Sequence, residues 1–343
     1  MLWYCQNKMK EIAIMTQDRN KHFYLGKTVA IADNEKLTAK ARQSLYTARA
    51  EHTITAYRSD WNDFCDWCEY HDVPFFPAAA ETIVNYINDL ADHAKANTVA
   101  RRISALTENF DAAGLQENPC RMPLVKNAVR GIKRMKGTAQ QGKLPILFDD
   151  IKEMLTYLEG NTLQRARDKA ILLVGFYGAM RRSEIANLDV GDIRFTRLGM
   201  LLTLRKSKTD PFDRGQMIAI PYVADPQICA VRALKEWLQE SGITGGPLFR
   251  GFTKTHSLRT NRISDKTVAL LVKQYVARMG MDPRDYGAHS LRHGFATSAA
   301  QHHVEERQIM RQTRHKSQTV VRRYIDEADR LIDNPIFKIT EQK

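Results

Sequence analysis

Apolar residues recur at helical spacing along most of the chain and at strand spacing in one short region. From Thr53 to Tyr70, Ile54, Tyr57, Trp61, Phe64 and Cys68 lie three or four apart, which predicts an amphipathic helix. Pro74 and Pro77 end that pattern. Ala80 to His93 resumes it through Ile83, Tyr86, Ile87 and Leu90. Asn97 to Phe110 carries Val99, Ile103, Leu106 and Phe110, with Asn97 placed as the N-cap, and Lys126 to Met135 predicts a shorter fourth helix. No strand pattern occurs in this half. Residues 1 to 47 are weakly patterned and predict an extended or partly ordered arm.

The second half opens with Pro145 and a helix capped at Asp149. Helices are predicted over Asp168 to Tyr177, where Gly178 stops the run, and over Arg182 to Leu188. Met200 to Leu204 and Gln216 to Ile220 are short apolar strands flanking Lys206-Ser207-Lys208-Thr209-Asp210-Pro211, the tip of a long hairpin. Further helices are expected at Pro226 to Glu240, Ser264 to Met279, Ser290 to Gln301, Glu305 to Gln312 and from Ser317 onward. This is a mostly helical domain with one small sheet.

At 343 residues the chain exceeds one ordinary core. Gly137 to Lys143 is small, polar and unpatterned, as a linker would be. The resulting division is an arm at 1–47, a helical domain at 48–136, a linker at 137–145 and a second domain at 146–343. Charge adds a partner class. The 52 Lys and Arg outnumber 39 Asp and Glu, a net charge of +13 that favours polyanions. Between Lys95 and Lys143 ten basic residues face only Glu108, Asp111 and Glu117. A solvated helix face usually interleaves both signs, so Arg101, Arg102, Arg130, Lys133 and Arg134 are candidate phosphate contacts. The bland alternative is charge that only keeps the protein soluble.

Five scattered cysteines form no framework, which points to free thiols in a reducing compartment. Cys65 and Cys68 make a C-x-x-C pair inside a helical pattern; without a second pair, packing is favoured over a metal. No apolar run reaches the ~18 residues needed to span a membrane, and the N-terminus lacks a signal peptide's h-region and cleavage site. The expectation is a soluble protein of the cytoplasm or nucleoid.

Three local patterns carry candidate chemistry: Gly178-Ala179-Met180-Arg181-Arg182-Ser183-Glu184, then His289-Ser290-Leu291-Arg292-His293, then His315-Lys316-Ser317 with Val320-Val321-Arg322-Arg323-Tyr324. Singly each has a plain reading: a charged helix start, a structural histidine–arginine pair, one amphipathic tyrosine among twelve. In this order, with a hairpin lysine between the first two, they resemble the phage-integrase family of tyrosine site-specific recombinases. Residues 51 to 135 are similar to that family's helical core-binding domain, and the length is similar to Cre-like members. The resemblance implies a mainly α fold: a SAM-like core-binding domain plus a mixed α/β catalytic domain with a small antiparallel sheet, closing on duplex DNA as a C-shaped clamp.

By motif, the resemblance makes Arg181 the first catalytic arginine, with Arg182 the competing assignment, and Glu184 a supporting residue. It makes Lys208, or Lys206, the hairpin lysine, His289 and Arg292 the H-x-x-R pair, and Tyr324 the nucleophile. His315 falls where the family has histidine or tryptophan, but Arg314 stands where the family usually has glycine. The resemblance further implies a homotetramer on two inverted-repeat DNA sites, a 3′-phosphotyrosine bond and a Holliday-junction intermediate. Lys266, in the first turn of its helix, would reach into a major groove, or is a surface lysine. The apolar segment Leu331 to Phe337 would dock on a neighbouring protomer, or packs at home.

Physical chemistry favours the same roles. A phosphodiester repels nucleophiles, and in-line attack adds charge to its equatorial oxygens, which two planar guanidiniums can clamp. A tyrosine of ordinary pKa, about 10, needs a base or strongly cationic surroundings. His289 can exchange protons near neutrality, and a lysine beside other cations can protonate the departing 5′-oxygen. A phosphotyrosine conserves the energy of the phosphodiester, so no cofactor, nucleotide triphosphate or metal is called for. A relaxing enzyme of the type IB topoisomerase kind and a DNA-binding protein that no longer cuts are the rival readings.

Overall fold

The computed structural model describes residues 51–137, 142–158, 160–205, 215–315 and 317–332, together with Phe23, Thr38, Lys40 and Ile336. Most of the expected N-terminal arm, the middle of the linker, the hairpin tip with Lys206 and Lys208, and much of the apolar C-terminal segment lie outside these residues. The chain forms two compact units, Met1–Gln140 and Gln141–Lys343.

In the first unit α1 (Glu51–Tyr70), α2 (Ala80–His93), α3 (Ala96–Ala112) and α4 (Pro123–Lys136) surround one core, with a 3-10 turn at Pro119–Arg121. Of the predicted apolar positions, Trp61, Phe64, Ile83, Tyr86, Ile87, Leu90, Val99, Leu106 and Phe110 are buried, and Ile54, Tyr57 and Ile103 pack partly buried against them. Trp61 meets Phe75 and Phe110 edge-on at centroid distances of 6.0 and 5.7 Å, arrangements that add to simple burial. Cys65 and Cys68 belong to this core, where burial pushes the Cys68 thiol up to about 12. The expected cap at Asn97 is displaced: Lys95 is the N-cap residue of α3 and makes no side-chain cap bond. Pro119 and Pro123 open the last two elements, where a missing N–H costs nothing.

The second unit is built around α6 (Thr162–Tyr177), buried on nearly all sides from Ala166 to Phe176. It starts earlier than expected because the Asn161 side chain accepts the Gln164 N–H at 2.9 Å. Preceding it, α5 (Phe148–Thr156) takes its cap from Asp150, which accepts the Leu147 N–H, rather than from Asp149. After α7 (Arg182–Asn187), β1 (Ile193–Phe195), β2 (Gly199–Leu204) and β3 (Gln216–Pro221) form an antiparallel sheet in the order β1-β2-β3, with Leu202 opposite both Ile193 and Ile218. Helix α8 (Ala230–Ser241) follows.

One sheet was expected; the described residues form two. β4 (Arg250–Phe252) pairs with β5 (Leu258–Arg262) as a separate hairpin. It is anchored by charge: the Arg167 guanidinium lies 4.5 Å from the Phe252 ring centroid and bonds Asp168, which Tyr275 also reaches at 2.9 Å. Helices α9 (Asp265–Arg278), α10 (Ala288–Gln301), α11 (Glu306–Thr313) and α12 (Gln318–Ile332) complete the unit. The segment before α5 lies along α10. Ile146 N–H bonds Ser290 O at 3.1 Å, and a Cβ on Gly294 would fall 1.6 Å from Ile146 O, so only glycine admits this approach. Lys143 to Ile146 are thus bonded into the second unit, although the linker was expected to extend to 145.

Candidate active site

The site begins where α6 stops. Gly178 turns the chain back, and Ala179 takes a φ of 43°, outside the region side chains favour. The Ala179 carbonyl accepts two guanidinium bonds, from Arg292 Nη1 at 2.7 Å and Arg314 Nη2 at 3.0 Å. Two residues on, Arg181 is the N-cap residue of α7, and Glu184 closes that turn by accepting the Arg181 N–H at 2.9 Å. The same carboxylate accepts Arg181 Nη1 at 2.6 Å and Arg314 Nη2 at 2.9 Å. Burial opposes charge on Glu184, but Arg314 and Arg181 outweigh it and hold the carboxyl below its ordinary value.

From α10 come His289, Arg292 and His293. Arg292 is 1% exposed, and its Nη2 is buried with no hydrogen-bond partner among the described residues. Burial, then the nearby charges of Arg181 and Arg314, lower its pKa. His289 stands exposed at the edge of the cluster; partial desolvation, then Arg292, His293 and Arg181, lower its pKa. His293 Nδ1 lies 2.9 Å from Lys143 O, so a proton on that nitrogen is donated to the carbonyl.

Helix α11 ends at Arg314, which has a left-handed backbone with φ 58°. His315 follows, with its Nδ1 buried and unpartnered; burial, Arg292, Arg181, His289 and Arg314 bring its pKa down to about 3. Tyr324 projects from α12 into a small core with Ala296, Ala300, Ile309 and Val321, and is 8% exposed. Its ring lies 4.6 Å from that of His293 and 5.8 Å from that of His315, centroid to centroid.

The structure therefore gathers Arg181, Glu184, Arg292, His289, His315 and Tyr324 from four helices and the turns before them. It separates Arg182, which is more than half exposed and pairs with Asp265 at 3.0 Å. Lys206 and Lys208 lie outside the described residues. Of the candidate phosphate contacts, Arg102 is turned inward: its guanidinium pairs with Asp60 and Asp63 and donates to Tyr86 Oη at 3.1 Å. Arg102 is thus engaged within the first unit by two carboxylates. Arg101 is half exposed and paired with Asp60. Arg130, Lys133 and Arg134 are exposed on α4, none with an acidic partner among the described residues. Lys266 is exposed in the first turn of α9.

Two residues carried no role in the sequence reading: His293, against Tyr324, and Arg314, against Glu184. The signal for His293 was its place directly after the H-x-x-R pair. For Arg314 it was an arginine where glycine was expected.

Two guanidiniums share the Glu184 carboxylate with Arg292 close by, two imidazoles have their pKa pushed below the ordinary value, and a buried Arg292 N–H faces no acceptor among the described residues. The excess of cationic groups suits a bound anion such as a phosphate beside a tyrosine hydroxyl, on a mainly helical two-unit scaffold. The phage integrase family matches residues 146–330, and the phage integrase N-terminal SAM-like domain matches residues 43–116. The chain is 48% identical over 320 residues to an integrase/recombinase xerD homolog of Selenomonas ruminantium, covering 93% of this chain and 94% of that protein. Among solved structures, the XerH site-specific recombinase bound to palindromic difH substrate in a post-cleavage complex superposes with a TM-score of 0.64 at 16% identity, over 93% of this chain and 97% of that one. A lambda integrase dimer bound to a COC′ core site gives 0.56 at 14% identity, over 90% and 78%.

The chain belongs to the phage integrase family. It is a tyrosine recombinase, an enzyme of site-specific DNA recombination, and neither the relaxing enzyme nor the non-cutting DNA-binding protein is favoured. No described helix is long and apolar enough to cross a membrane.

Proposed function

We propose that this recombinase holds the scissile phosphate of duplex DNA between Arg181 and Arg292 and attacks it with Tyr324. The observation that carries the reading is Arg292, a buried cation with an unpartnered N–H and no carboxylate of its own among the described residues. Such a group is costly unless an anion arrives to accept from it. The Tyr324 oxygen forms a bond to phosphorus as the bond to the 5′-oxygen breaks. The phenolic proton passes to a neighbouring base, for which His289 is the candidate, and the 5′-oxygen takes a proton from the hairpin lysine, Lys208 or Lys206. Arg181 and Arg292 stabilise the charge added to the equatorial oxygens, with His315 as a further donor to them. Attack by a partner strand's 5′-hydroxyl reverses the sequence and leaves a Holliday junction.

The basic face of α4, with Arg130, Lys133 and Arg134, would hold the phosphate backbone without reading sequence, and Lys266 would approach a base edge. An apolar groove of about 400 Å3 lined by Phe148, Phe176, Ile220, Phe295, Val304 and Ile309 supports assembly. It suits the apolar C-terminal segment of a neighbouring protomer, as a homotetramer on two inverted-repeat sites requires. The test is a duplex nicked beside the cleavage point: native enzyme should accumulate a covalent protein–DNA adduct and Tyr324→Phe none. An adduct on Tyr324→Phe would mean another nucleophile.

A further inference from the structure

We infer that Arg314 is a positioning residue that locks the Arg181–Glu184 pair to the segment bearing the nucleophile. This rests on the reading of Arg181 and Tyr324 just given. Two independent observations carry it. The first is the backbone: at φ 58° Arg314 occupies a conformation that glycine adopts freely and side chains resist. A helix C-terminus that needs only a turn would use glycine or asparagine there. The second is the side chain, which is 6% exposed and spreads its fork over three elements. Nη1 donates to Gly178 O and Gln312 O, both at 2.8 Å. Nη2 donates to Ala179 O at 3.0 Å and to Glu184 Oε2 at 2.9 Å.

Each contact has a consequence for the site. The Gly178 and Ala179 carbonyls belong to the turn that delivers Arg181, and Ala179 O also holds Arg292. Glu184 carries Arg181 on its other oxygen. Arg314 is followed directly by His315 and, three residues later, by the helix of Tyr324. One planar guanidinium therefore sets the distance between the phosphate clamp and the nucleophile's helix. A lysine supplies the charge but not the fork, and its three N–H donors cannot serve three carbonyls and a carboxylate in fixed directions at once. Arg314 need not touch DNA for this. Its effect falls on the chemical step, where a displacement near 1 Å costs about 10²-fold.

The test is single-turnover cleavage of the nicked duplex at saturating DNA, with Kd measured separately. Arg314→Gly keeps the turn and removes the fork. It is expected to cleave about 10²-fold more slowly with unchanged Kd. Guanidinium chloride at millimolar concentration should restore part of that rate, whereas sodium chloride at equal strength should not. Arg314→Lys should lie between native and Arg314→Gly, and it carries the test should the glycine variant not fold. The inference is overturned if Arg314→Gly cleaves at the native rate, or if both variants are equally slow with no response to guanidinium. Failure of the Tyr324 reading is separate: it appears as an adduct that survives Tyr324→Phe, whatever Arg314 does.

Discussion

Replacing Arg292 with methionine should cripple cleavage without destabilising the protein. Arg292 is 1% exposed, makes a hydrogen bond to Ala179 O and leaves Nη2 unpaired among the described residues. Glu184, the acid nearest in charge terms, is already bonded to Arg181 and Arg314. A guanidinium buried without a carboxylate of its own costs several kcal/mol, and an unsatisfied buried donor adds about 1–3 kcal/mol. Against this stands one hydrogen bond of about 1 kcal/mol, whose acceptor keeps Arg314. Methionine approximates the length and volume, so little cavity is opened. Arg292→Met is therefore expected to match native stability or exceed it by about 1–3 kcal/mol, with each kcal/mol worth roughly 2–4 °C in Tm. Cleavage should fall by about 10²–10³ through loss of one clamp donor. Thermal unfolding without DNA and single-turnover cleavage of a nicked duplex measure the two effects. A clear fall in Tm with near-native cleavage would refute the argument, because Arg292 would then be a structural group.

Gly294→Ala should lower Tm strongly and detach the segment before α5, because its Cβ would meet Ile146 O at 1.6 Å; hydrogen exchange at Leu144 and Ile146 checks it. Lys133→Glu with Arg134→Glu should weaken DNA binding and flatten its salt dependence, each lost phosphate contact removing about 0.9 from the slope, while cleavage at saturating DNA stays near native. Stability without DNA should decline as pH falls below about 6.5. The folded-state pKa values of His289 and His315 lie below the ordinary 6.5, so the unfolded chain takes up protons first. Glu184, held below its ordinary value, acts in the same direction at lower pH. Tm measured from pH 7 to 4 should fall steadily, and a flat profile would contradict the lowered histidine pKa values.

Helices were the legible part of this fold, since each buries one stripe and the stripe is written at fixed spacing, as in Ile83, Tyr86, Ile87 and Leu90. The β4–β5 hairpin was not, because Leu258-Arg259-Thr260-Asn261-Arg262 is largely exposed and shows no alternation of apolar residues. Three-residue β1 is too short to carry a period. The site was legible as a set of motifs around Arg181, His289, Arg292 and Tyr324. Its electrostatics were not: Arg102 counted as a free cation until Asp60 and Asp63, some forty residues earlier, proved to face it. Arg314 stood out only as an arginine in a glycine's place, because the partners of its side chain at Glu184 and Ala179 lie about 130 residues away. Pairings across that distance leave no local trace.

The central claim is that Tyr324 becomes covalently joined to DNA. Incubating native enzyme with a nicked recognition duplex, digesting the adduct and locating the modified peptide by mass spectrometry tests it directly. A nucleotide phosphate is expected on Tyr324, in the peptide following Arg323, and no adduct from Tyr324→Phe. A phosphate bonded to any other residue, or an adduct unchanged by that substitution, would contradict it.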